Sequence, residues 1–365
     1  MSQFEDVPTD DDKLAGKAVI RGTAHLKRRM IITVTIGIIS MVLLYIFSLT
    51  MGAYSLSFTQ AWEAVKEIIM NGGPISTDAK VLFYSRMPRS ICVLLVGAGL
   101  AVAGAVMQAL IRNPMVDPYI TGVSSGASFG VLLFTLGSAS LGAVFNVNYI
   151  IPIAAIIGAI AAFALTMTVA EASGGRAMNY VLGGVIIAMG LSAGTTLITS
   201  FNIEELHSIS TWLFGSFANL RWEQTSIIFF PIMLILLYLL YNARKLNMML
   251  LGEEQAQYLG MNARTYKRNM MILVAALTAL CVAFCGVIGF VGLIVPHLTR
   301  MIVGGDHRML LPTSMIVGAN ILLVADIFCK SALSYVELPI GAIISVVGVP
   351  LFIYIMVKEG RKYAM

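Results

Sequence analysis

Charge is what this sequence has least of. Asp, Glu, Lys and Arg together make up 12% of its 365 residues, against roughly 25% in an ordinary soluble domain. With 58% hydrophobic residues and a mean hydropathy of +0.86, the chain has too little polar surface to cover a water-soluble fold, so it belongs in lipid. The net charge of +5 and pI near 9.0 do not indicate nucleic acid. The basic residues form no single patch and fall between apolar runs, as membrane topology requires. The motifs of an ATP-binding P-loop (G-x-x-x-x-G-K-[ST]) and of a zincin (H-E-x-x-H) are missing, and no nucleophile elbow is expected. ATP hydrolysis and other catalysis are therefore not expected of this chain.

The four histidines (His25, His207, His297, His307) and four cysteines (Cys92, Cys281, Cys285, Cys329) lack metal-ligand spacing. Neither a metal site nor a cofactor is expected. The cysteines read as small apolar fillers, and His297, beside Pro296, as a local hydrogen-bonding residue. Intramembrane carboxylates, the usual mark of an ion-coupled carrier, are nearly missing. The clearest is Asp326, four residues before Lys330 and able to pair with it on one helix face.

What the chain has is apolar runs. A bilayer core takes about 20 apolar residues per helix, and such runs fall at 31–51, 90–111, 118–137, 149–170, 179–201, 223–242, 269–288, 290–303, 309–330 and 339–357. The fold class is an all-α polytopic bundle of about ten transmembrane helices. The third run carries Gly122, Gly126 and Gly130 with several serines and is expected to be irregular; the eighth is short. Frequent glycines within the spans point to close helix packing.

With the N-terminus placed inside, only Lys66, Lys80, Arg86, Arg89, Arg221 and Lys330 of the 24 basic residues fall outside. That bias puts both termini in the cytoplasm of a multi-pass protein of the cytoplasmic membrane. Residues 1–30 read as a polar, mostly disordered leader with no cleavable signal peptide, 31–358 as the membrane domain, and 359–365 as a cytoplasmic tail. Outside, 57–70 is amphipathic, with Trp62 and Ile69 on its apolar side, and 203–217 reads as a short helix at the membrane edge. Inside, 243–268 is polar and helical in pattern.

Several long segments, in order, resemble the FecCD-type permeases of importers for iron-siderophores, haem and cobalamin. They are RMPRSICVLLVGAGLAVAGAVMQALIRNPMVDPYITGVSSGA (86–127), LLGEEQAQYLGMNA (250–263), GVIGFVGLIVPHLTRMIVGGDHRMLLPTSMIVGANILLVAD (286–326) and ELPIGAIISVVGVPLF (337–352). The resemblance runs from about residue 31 to the C-terminus. It implies a type II ABC importer permease: ten helices per subunit, a second permease subunit (here a homodimer) with the pathway on the two-fold axis, two copies of an ATPase subunit beneath, and a soluble substrate-binding protein outside.

The resemblance also implies residue roles. GEEQAQYLG (252–260) is similar to the family's coupling helix, which seats in a cleft of the ATPase. Gly252 with Glu253 and Glu254 would start that helix, Ala256 and Leu259 would face the partner, and Gly260 would end it. Asn113, Pro114 and Met115, with Ala177 and Met178, are similar to cytoplasmic gates. Ala177 and Met178 depart from the polar pair of the cobalamin permeases. Arg86, Arg89 and Lys330 match positions where those permeases carry arginines that receive glutamates of the binding protein; the lysine lacks the planar fork of arginine. Two readings from other classes stand beside this one: an ion-coupled secondary carrier working alone, disfavoured by the scarcity of buried carboxylates, and a polytopic membrane enzyme, disfavoured by the missing catalytic motifs.

Overall fold

A computed structural model describes residues 10–140, 147–201, 212–333 and 337–363. The chain is all-helical there. Its elements are α1 (Asp10–Thr50), α2 (Phe58–Asn71), α3 (Thr77–Val81), which runs through a π-turn (Leu82–Arg86) into α4 (Met87–Ile111), a 3₁₀ turn (Pro118–Thr121), α5 (Val123–Ser140), α6 (Val147–Ala172) and α7 (Ala177–Phe201). There follow α8 (Trp222–Tyr241), α9 (Ala243–Leu250), α10 (Glu253–Tyr258), α11 (Ala263–Cys285), α12 (Val291–Val303), α13 (His307–Ser331) and α14 (Ile340–Tyr363). Among the described residues, eight helices are long and apolar enough to cross a membrane, and α5 and α12 are shorter apolar helices. Together they account for the ten runs read from the sequence. The irregularity of the third run is the 3₁₀ turn and Gly122 ahead of α5.

One expectation fails at the N-terminus: the leader is not loose throughout, because α1 already begins at Asp10. We call the face of the bundle where α1 begins proximal and the face where it ends distal. Of the 203–217 segment, residues 203–211 lie outside the described residues.

Helix α4 is the axle of the bundle, with nearly every residue from Pro88 to Leu110 buried. It packs on α13, α12, α11, α8 and α1. Lipid offers no hydrophobic drive between helices, so close backbone approach supplies the attraction. Gly104 shows how close: a Cβ there would fall 1.7 Å from the carbonyl oxygen of Gly292 in α12. Gly97 meets Gly318 of α13 in the same manner, with 2.5 Å between the added Cβ and that carbonyl oxygen. Helices α1 and α7 sit at the edge and keep large apolar side chains outward, among them Leu43, Ile186, Met189 and Phe201.

Helix α2 starts at a full capping box of Ser57 and Gln60. It packs on the bundle through Ala61 and Ala64, while Trp62 and Ile69 stay exposed. The apolar side read from the sequence is thus split, the small residues turned inward and the large ones left uncovered.

Candidate functional site

The residues singled out in the sequence form two groups, one at each face. On the proximal face, 243–268 folds as α9, α10 and the start of α11. Gly252 sets the entry to α10 at φ +116°, where a Cβ would also collide with Gln255 Oε1. Glu253 and Glu254 occupy the first turn, where the unsatisfied backbone N–H groups favour negative charge. Gly260, at φ +84°, ends the helix. Ala256 is fully buried against the chain's own core and so cannot face a partner, a correction to the sequence reading. The outward apolar groups are Leu259 and, unforeseen, Tyr258 at 90% exposure.

The expected gate residues lie in two turns beside α10. Arg112 closes α4 in the left-handed region, and Asn113 Oδ1 accepts from the Met115 N–H at 2.9 Å. Met115 is exposed. The Cβ that residue 252 lacks would sit 3.4 Å from Arg112 Nη1, so this turn touches the start of α10. The second turn, between α6 and α7, leads to Ala177 and the exposed Met178. Its Gly175 carbonyl accepts from Lys267 Nζ at 2.7 Å, and Lys267 also donates to Glu253 of α10 at 2.7 Å. Both turns therefore reach one six-residue helix.

Nearby, Asp306 caps α13. Its carboxylate accepts from the Arg308 N–H at 3.0 Å and from Asn247 of α9 at 2.6 Å, and pairs with Arg308 Nη2 at 2.6 Å. The Arg308 guanidinium first, and the Asn247 and backbone bonds after it, pull the carboxyl from its ordinary 3.8 to about 2.

On the distal face, Arg86, Arg89 and Lys330 do not stand out as free cations; all three are buried. Arg89 donates to Asp326 Oδ1 at 2.8 Å and 3.0 Å, and to Glu337 Oε1 at 2.7 Å. Lys330 Nζ donates to the Ser48 hydroxyl at 2.7 Å and carbonyl at 2.9 Å, and lies 3.6 Å from Asp326. Arg86 donates to the carbonyls of Leu49 and Tyr54. A charge withdrawn from water must find partners inside, and here they come from α1, α13 and the residues before α14. Sequence spacing showed the local Asp326–Lys330 pair but not the shorter contact to Arg89, 237 residues away.

A cavity of about 480 Å³ opens between these faces, lined by Asp117, Tyr119, Phe214, Phe290, Leu293 and Ser345 among others. Asp117 belongs to a segment that turns back into the bundle. Pro118 next to it packs on Gly292, close to Leu100 in the middle of α4.

The four cysteines are buried and free, as fillers would be. His297 stacks edge-on against Phe352 at 6.2 Å. No group of three or more His, Cys, Asp or Glu able to hold a metal occurs among the described residues. Residues 122–126, GVSSG, do carry the spacing of a nucleophile elbow. An elbow needs a strand entering a sharp turn, whereas this segment passes from a 3₁₀ turn into α5.

Among the described residues, eight long apolar helices and two shorter ones form the bundle of a multi-pass membrane protein, with a short surface helix braced against two proximal turns. Residues 40–358 match the model of the FecCD transport family, and the chain belongs to that family: it is an ABC importer permease, multi-pass in the plasma membrane. It is 34% identical to the hemin transport system permease protein of Yersinia pestis over 89% of this chain and 95% of that one. It is 36% identical to the molybdate import system permease protein of Haemophilus influenzae over 88% and 94%. A solved inward-facing ABC transporter, described as of metal-chelate type, superposes with a TM-score of 0.77 at 34% identity, over 89% of this chain and 98% of that one.

Proposed function

We propose that the chain carries an iron-siderophore, haem or cobalamin-type chelate inward, driven by ATP hydrolysed on two copies of a separate subunit. The observation that carries this reading is α10, which presents Tyr258 and Leu259 outward while its base touches the turn that bears Met115 and is bridged by Lys267 to the turn that leads to Met178. The ATPase seats on α10, the proximal face is cytoplasmic, and the methionines close the inner end of the pathway with flexible apolar side chains. A second copy of the chain covers the outward apolar face of α7, and the cavity beside Asp117 and Tyr119 belongs to the pathway wall. A substrate-binding protein docks on the distal face, where Glu337, with a side chain 42% exposed, is the outer edge of the charged cluster. Arg86, Arg89 and Lys330 shape that face from beneath.

The haem relative and the metal-chelate transporter favour a chelate as cargo; the molybdate relative makes an oxyanion the competing class. Proteoliposomes holding the permease with its ATPase subunits and binding protein test this with ferric hydroxamate, hemin, cobalamin and molybdate as probes. ATP-dependent accumulation of at least one chelate, and not of molybdate, is the expected result. Uptake driven by an ion gradient without the ATPase would overturn the reading in favour of a secondary carrier.

A further inference from the structure

Lys267 lies near the start of α11, and its side chain is only 1% exposed. A buried ammonium is costly unless its protons are placed, and here the placement spans three separate elements. Nζ donates to Glu253 Oε1 of α10 at 2.7 Å and to the Gly175 carbonyl of the α6–α7 turn at 2.7 Å. It also lies 5.2 Å from the ring of Tyr180, in the first turn of α7. The Tyr180 hydroxyl donates to Glu171 of α6, which also accepts from Arg264 of α11. Neutralising a lysine needs only a carboxylate. The additional bond to Gly175 ties the ammonium to the turn two residues before Ala177 and three before Met178.

Resting on the reading of α10 as the coupling helix and Met178 as a gate residue, we propose that Lys267 is a positioning residue for transport. Its ammonium holds the α6–α7 turn in register with α10, so that a displacement of α10 is delivered to Met178. A charge-assisted bond of 2.7 Å is lost once stretched beyond about 3.5 Å. The Lys267 side chain is 1% exposed, so little solvent surrounds the ammonium. When α10 shifts by about an ångström or more, Lys267 follows Glu253, and the turn that carries Gly175 follows Lys267.

The test uses the complete transporter in nanodiscs, with Met178→Cys as the site of maleimide labelling. The four native cysteines are buried and leave that site free of competition. The parent should change its labelling rate by about fivefold or more between the nucleotide-free state and ATP with vanadate, the scale of a modest allosteric coupling. In Lys267→Met that ratio should fall to about one, while the ATPase subunits still co-purify and hydrolyse ATP. Lys267→Arg keeps a cation able to reach both acceptors and should restore the ratio. The exchange Glu253→Lys with Lys267→Glu rebuilds the ion pair but leaves the Gly175 carbonyl without its donor, and should not restore it.

A Lys267→Met transporter that keeps the parent's ratio overturns the proposal. So does an exchange variant that regains the ratio, because a simple ion pair would then suffice. Should Lys267→Met fail to assemble, Glu253→Ala decides: the ratio should again be lost, and its retention overturns the proposal. A parent whose labelling ignores nucleotide overturns the gate reading itself, and this proposal with it.

Discussion

Two charged clusters are buried among the described residues of this bundle, and they join different kinds of element. The distal one joins Arg89 of α4, Asp326 and Lys330 of α13, Ser48 of α1 and Glu337 before α14. Its members mostly sit on long helices that are themselves locked by backbone contact, as at Gly97 and Gly318. The proximal one joins Lys267 of α11 to a six-residue helix and a turn. A salt bridge between two rigid bodies adds to what already holds them. The Lys267 ammonium instead ties two short pieces to one rigid helix and to each other, by an ion pair with Glu253 and a hydrogen bond to the Gly175 carbonyl. On the proposed reading, the distal cluster serves stability and the proximal one transmission.

The largest expected effect breaks the distal side. Arg89→Ala leaves Asp326 buried without its main partner, and removing one member of a buried pair typically costs about 3–5 kcal/mol. The variant should unfold at clearly lower temperature in detergent or fail to accumulate in the membrane. Survival at the parent's melting temperature would show that the distal cluster is not structural. Gly104→Ala should come next: its Cβ would meet the Gly292 carbonyl at 1.7 Å, and forcing two packed helices apart costs about 1–3 kcal/mol. Thermal unfolding reads this too, with transport falling in proportion to the folded fraction rather than independently of it.

The ten spans and the polar α9–α11 segment were legible because each is a local pattern, either an apolar run of bilayer length or helical spacing. The cysteines as fillers were legible for the same reason. What the sequence hid is long-range. Arg86 and Arg89 fell on the sparsely basic side and looked like outward charges, because nothing local announces that Asp326 and Glu337 fold back onto Arg89. Ala256, a small apolar residue, suits either side of a short helix, and only packing decides which. Lys267 is one of several cations in the 243–268 segment, and only long-range packing buries it against Gly175. Asp117 hid in a segment whose length fits a surface loop but whose path runs into the bundle.

Lys330→Met sharpens the comparison within the distal cluster. It removes the donor to Ser48 but leaves Arg89 on Asp326, and should cost less than Arg89→Ala in the same melting assay. An equal loss would mean that Lys330, not Arg89, holds the cluster together.

The smallest effect is one of pH. Asp306, held near 2 against an ordinary 3.8, stabilises the folded state fully only above its unfolded value. That contribution disappears as pH falls from about 4 to about 2. The site is partly exposed, so the loss is a small downward drift in melting temperature. Asp306→Asn should flatten the drift, and an unchanged slope would deny Asp306 the role of cap and clamp between α9 and α13.

The central claim is that α10 receives the motion of the ATPase, and the double variant Glu254→Arg with Leu259→Asp addresses it most directly. Both residues are exposed, so the fold should persist with the parent's melting temperature. Uptake of the cargo and its stimulation of ATP hydrolysis, measured in proteoliposomes, should both be abolished. Normal uptake by a double variant that inserts normally would contradict the account.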